Sequence, residues 1–115
     1  MEELYHYKIK KINKVVDGDT IDATIDLGFD VFVKKRIRLY GINAPESRTR
    51  DKKEKKRGLA AKERLKELCS MDLVLKSHGR GKYGRILGEL LTSELNINSL
   101  LVSEGHAVEY FGGKR

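Results

Sequence analysis

The strongest constraint on this chain is an alternation of apolar and polar residues over residues 20–27. Ile21, Ala23, Ile25 and Leu27 fall on one side, and Thr20, Asp22, Thr24 and Asp26 on the other. Successive strand side chains point to opposite faces, so this period of two predicts a half-buried β-strand. Gly28 then permits a reversal. Val31, Val33, Ile37 and Leu39 continue the apolar face while Lys34, Arg36, Arg38 and Tyr40 alternate against it, with Lys35 as the one break. Together the two runs predict an antiparallel hairpin.

Three further strands and two helices are expected around that hairpin. Tyr5, Tyr7 and Ile9 alternate with His6, Lys8 and Lys10 in a segment that ends at Val15-Val16 before a Gly-containing turn. Leu73, Val74 and Leu75 predict a short strand, and residues 86–91 another, in which Gly88 marks a bulge or a close backbone approach. Over residues 58–69 the period changes, because Ala61, Leu65 and Leu68 fall at i, i+4 and i+7 among strong helix formers. Asn98 suits the cap of a short helix carrying Leu100, Leu101 and Val102, which Gly105 would end. The early connections are too short for parallel crossovers. The expected fold is therefore mainly β, a small, partly open five-stranded Greek-key barrel of the OB type with two helices.

At 115 residues one domain spanning 1–115 is expected. Lys and Arg number 24 against 17 Asp and Glu, a net +7, which points to a polyanionic partner. Much of that charge is local: residues 48–57 hold seven bases and two acids, read as a basic loop. The single cysteine, Cys69, has no second thiol for a disulfide or a zinc site. No apolar run reaches the roughly 20 residues of a membrane span, and the opening Met1-Glu2-Glu3 lacks the order of a secretion signal. A monomer without a membrane partner is expected. A cytoplasmic location is favoured, with a secreted mature form as the alternative.

Four polar groups interrupt the strand patterns: Asp17-Gly18-Asp19-Thr20, Arg38, Asn43-Ala44-Pro45-Glu46 and Lys82-Tyr83-Gly84-Arg85. Each alone has an ordinary explanation. Asp-Gly is a turn signal, a strand arginine usually faces water, and Glu46 can be a solvated loop acid. In this order, with Gly105-His106-Ala107 near the end, they resemble the thermonuclease or staphylococcal nuclease-like family along almost the whole chain.

That resemblance implies an OB-type barrel and calcium-dependent hydrolysis of phosphodiesters in DNA and RNA. It implies Glu46 as the general base and Arg38 and Arg85 as the two arginines that hold the phosphoryl group. A guanidinium fork can take two phosphate oxygens and stays charged at any working pH. It also implies Asp19 as a direct metal ligand, the Ala44 carbonyl as another, and Lys82 and Tyr83 as substrate contacts. Asp17 would tune the local field or simply form the turn, and Tyr83 would stack on a base or lie in the core. Asn43 stands where the family prototype has a second metal-binding aspartate. One neutral oxygen there implies weaker calcium binding, or preference for another divalent ion such as Mn2+ or Mg2+. Set against the prototype, the fold is expected to lack the C-terminal third helix, for which residues 112–115 would be too few. The alternative reading is a catalytically weak or inactive module of the same fold that binds nucleic acid without cutting it.

Overall fold

The structure, a computed structural model, describes residues 5–111. The acidic opening and the 112–115 tail therefore lie outside the described residues. Five strands form a closed barrel: β1 (His6–Asp17), β2 (Thr20–Gly28), β3 (Val31–Leu39), β5 (Val74–Arg80) and β6 (Ile86–Leu91). Their order is β1-β2-β3-β6-β5, and β5 closes the ring against β1. The barrel is thus closed where a partly open one was expected. Only the β3–β6 pair is parallel. The chain between those two strands is long enough to carry β4 (Ile42–Asn43), the helix α1 (Lys52–Leu68), β5 and a short 3-10 turn (Lys82–Gly84), which is what a parallel connection needs. A second helix α2 (Ile97–Ser103) and β7 (Val108–Glu109) follow, and β7 pairs with β4 in a separate two-stranded ribbon.

The alternating residues fill the interior. Ile21, Ala23 and Ile25 of β2 and Ile37 and Leu39 of β3 are buried with Leu75 and Leu90, while α1 contributes Ala61, Leu65 and Leu68 and α2 adds Ile97 and Leu101. Each fully buried Ile or Leu contributes about 1.5–3 kcal/mol relative to exposure. The alternation does not stay buried to the hairpin's end, however. Leu27 and Val31, expected on the core face, are 42% and 51% exposed. β6 meets β3 only at residues 37–39, so the hairpin overhangs the barrel and its outer half has no interior to face. The reversal itself is made by Phe29 and Asp30, both at positive φ, just after Gly28.

Two helix boundaries differ from expectation for physical reasons. α1 begins at Lys52, six residues before Gly58, because the Asp51 side chain caps it by accepting from the backbone N–H groups of Lys53 and Glu54. Much of the basic 48–57 stretch is therefore helix and not loop. Gly58 sits inside the helix because a Cβ there would collide with the backbone carbonyl of Glu46. For α2 the cap is Asn96, whose Oδ1 accepts from Ser99 N at 3.1 Å. Asn98 is instead buried, accepting from Leu90 N at 3.2 Å and donating to the carbonyls of Tyr40 at 2.8 Å and Gly88 at 3.1 Å. Gly88 marks a close approach, since a Cβ would strike the Leu75 side chain.

Cys69 caps the C-terminus of α1, and burial pushes its thiol up to about 11. At pH 8 iodoacetamide is expected to modify it at roughly a hundredth of the rate of an exposed thiol, because the thiolate is the reactive form. Labelling as fast as an exposed control would show that the helix end opens. Among the described residues no helix is long and apolar enough to cross a membrane.

Candidate active site

The turn from β1 to β2 places two aspartates with different tasks. Asp19 is buried; its Oδ1 accepts from the Thr20 hydroxyl at 2.9 Å and its Oδ2 from the Ala44 backbone N–H at 2.8 Å. Asp17 accepts from both the backbone N–H and the hydroxyl of Ser47. These bonds grip the 44–47 segment at its two ends, with Glu46 between them. Helix α1 presses on the same segment, since Gly58 abuts the Glu46 carbonyl and Glu54 Oε2 accepts from Glu46 N at 3.2 Å. Gly18 is also required, because a Cβ there would lie 2.6 Å from Ala61 Cβ and 3.1 Å from Ala44 Cβ. Asp17 thus ties the β1–β2 turn to Ser47, a contact that neither expectation for it included.

Arg38, near the end of β3, reaches back to this turn. Its Nη2 lies 3.5 Å from Asp19 Oδ2 and donates to Asn43 Oδ1 at 3.3 Å, while Nη1 donates to the Leu39 carbonyl at 3.0 Å. A carboxylate oxygen and an amide oxygen thus converge on one cationic nitrogen. Arg38 and Arg85 both line a cleft of about 420 Å³, walled also by Tyr40, Gly41, Tyr110 and Phe111. Glu46 is exposed and not part of that wall; its backbone is held by Glu54 and Gly58, and that of Ser47 next to it by Asp17.

Several features of the cleft have no sequence signal. Tyr110 and Phe111 reach it because β7 pairs with β4 and Tyr110 N donates to the Gly41 carbonyl at 2.8 Å. Two-residue strands leave no periodic trace. Gly41 has positive φ and supports the Phe111 ring, whose nearest carbon would be 2.8 Å from a Cβ there. Tyr40 packs edge-on against Phe111 and stacks on His78 at 3.9 Å between centroids. His78 in turn bonds Glu89 at 2.7 Å. Burial acts to raise the Glu89 carboxyl, but the His78 and Asn96 hydrogen bonds, with Lys76 nearby, hold it below the ordinary range. His78 thus links the Tyr40 ring to Glu89.

Tyr83 is 94% exposed at positive φ, which removes the core alternative. The Arg85 guanidinium carbon lies 5.9 Å from its ring centroid. The Lys82 side chain lies outside what the structure describes. From the basic 48–57 stretch, Arg57 lines a neighbouring hollow with Asn43, Ala44 and His106.

A family model described as staphylococcal nuclease homologue matches residues 36–115. The chain belongs to that family. The staphylococcal nuclease match takes in Arg38, Asn43, Ala44, Glu46, Tyr83 and Arg85 and begins after the Asp17-Gly18-Asp19-Thr20 turn. The closed, mixed, mainly β barrel with two helices among the described residues is consistent with the OB-type fold of staphylococcal nuclease. No curated protein matches the chain significantly.

Nucleases of this family typically depend on a divalent metal. Among the described residues no group of three or more His, Cys, Asp or Glu side chains converges. Asp19, Asn43 and the Ala44 carbonyl would supply oxygen only, the chemistry of a hard cation such as calcium. The convergence of Asp19 and Asn43 on the Arg38 nitrogen fits a position that attracts positive charge.

Proposed function

We propose that this protein is a divalent-metal-dependent endonuclease that hydrolyses phosphodiester bonds of DNA or RNA. The observation that supports it most is the placement of Arg38, bonded to Asp19 and Asn43 on one side and sharing a cleft with Arg85 on the other. In this reading the two guanidiniums grip the oxygens of one phosphate and stabilise the charge that gathers there as water attacks in line. Glu46 takes the proton of that water, and its exposure leaves the carboxylate open to solvent for the task. Asp19, Asn43 and the Ala44 carbonyl hold the ion, calcium or a related divalent cation, which supplies Lewis-acid polarisation of a phosphate oxygen when bound. Lys82 and Tyr83 contact the nucleotide.

The test is incubation of the purified protein with single-stranded DNA and with RNA in calcium, manganese, magnesium or a chelator. Cleavage with a divalent ion and none with chelator is expected. Binding without cleavage under every ion would overturn the proposal in favour of a non-cutting module of the same fold. Asn43 is what favours that second reading, because it leaves Asp19 as the sole charged ligand. Asn43→Asp is therefore expected to tighten calcium binding roughly tenfold or more, read by calorimetric titration. Unchanged affinity would remove position 43 from the ligand set.

A further inference from the structure

Beside the cleft, and sharing Arg85 with it, lies a second depression of about 520 Å³, walled by Lys34, Lys35, Arg36, Tyr83, Gly84 and Arg85. It exists because the β2–β3 hairpin overhangs the barrel. β2 pairs along the length of β3, but β6 reaches only residues 37–39. Residues 34–36 therefore form an edge with a shelf between them and the turn that carries Tyr83.

The charges on this shelf differ in their commitments. Arg36 is bonded to Asp22 through two nitrogens, at 2.8 and 3.1 Å, and that hydrogen bonding holds the Asp22 carboxyl below its ordinary range. Lys34 and Lys35 are exposed, and no ion pair to either occurs among the described residues. Lys34 and Lys35 thus wall the same depression as an almost fully exposed tyrosine ring held in left-handed backbone. Lysines on a strand edge also discourage edge-to-edge pairing. That role calls for charge alone and does not involve the exposed ring that walls the same depression.

We propose that the shelf is a second nucleic-acid subsite, which takes an unpaired strand where it leaves the cleft. Lys34 and Lys35 hold backbone phosphates, and Tyr83 stacks beneath an unpaired base. A ring can stack on a base only where its face is open, which a continuous duplex does not offer. The substrate class is therefore single-stranded DNA or RNA longer than the nucleotides that the cleft itself holds. The strand's identity as substrate rests on the proposed nuclease function; the binding does not.

The test is equilibrium binding by fluorescence anisotropy in chelator, where nothing is cut, as a function of salt. Three probes are used: a dinucleotide, a ten-nucleotide single strand and a duplex of the same length. For Lys34→Gln/Lys35→Gln, affinity for the longer single strand is expected to fall about tenfold and the magnitude of the salt slope by about 1.4, the contribution of two phosphate contacts on a single strand. Dinucleotide affinity is expected to change less than twofold, and Lys34→Arg/Lys35→Arg to restore the slope. An unchanged slope, or equal losses for both lengths, would overturn the subsite. Duplex binding as tight as single-strand binding would overturn its preference for an unpaired strand. A protein that cuts nothing yet shows the length-dependent loss refutes the nuclease and keeps the shelf, and an active nuclease indifferent to Lys34 and Lys35 does the reverse.

Discussion

Glu46→Gln is expected to lower the rate of phosphodiester cleavage by about a thousandfold, within the range assigned to a positioned general base. The substitution keeps size and hydrogen-bonding capacity and removes only the ability to accept a proton. Glu46 is exposed, and what fixes the 44–47 segment is backbone: Asp17 on Ser47, Asp19 on Ala44, and Gly58 against the Glu46 carbonyl. None of these depends on the Glu46 carboxylate, so stability should stay within about 0.5 kcal/mol of the unaltered protein, as for other exposed positions. Initial rates on single-stranded DNA, with urea denaturation alongside, separate the two effects. A rate within threefold of the unaltered protein would mean that another group activates the water.

Asn98→Ala is expected to cost about 3 kcal/mol of stability and, for a domain of this size, to lower Tm by about 12 °C. This one amide joins three backbone groups from two parts of the barrel: the N–H of Leu90 and the carbonyls of Tyr40 and Gly88. The Gly88 carbonyl keeps a second partner, since Tyr40 N also donates to it at 2.7 Å. The Leu90 N–H and the Tyr40 carbonyl each lose a partner beside a buried side chain, and such groups are costly to leave unmet. Because Tyr40 lines the cleft just beyond Arg38, the same variant should also loosen the site. Thermal and urea denaturation measure the first effect. A loss under 1 kcal/mol would mean that water replaces the amide.

The parts of the fold that were legible in the sequence are those where one period persists over many residues. The β2–β3 hairpin and the Ala61, Leu65, Leu68 face of α1 are of this kind. Alternation reports which face a residue takes but not how far the barrel extends, so Leu27 and Val31 are exposed although their pattern continues. Gly58 was misleading because glycine serves both to end helices and to let backbones approach closely, and here it does the second. Asn96 and Asn98 are alike as sequence; which one caps α2 depends on which faces the sheet. For the site, Asp19 and Asn43 meet at Arg38. The Asp17–Ser47 clamp, the aromatic wall from Tyr110 and Phe111, and the shelf under Tyr83 depend on pairings between distant segments. Local patterns do not encode those pairings.

In the proposed reaction two guanidiniums and an aspartate-held ion act on one phosphate. The decisive measurement is a crystal structure with calcium and an uncleavable phosphorothioate dinucleotide. The guanidiniums of Arg38 and Arg85 are expected to donate to the same phosphate, with the ion on Asp19 and the Glu46 carboxylate facing phosphorus opposite the leaving oxygen. A phosphate held by only one of the arginines, with the ion bound away from Asp19, would contradict it.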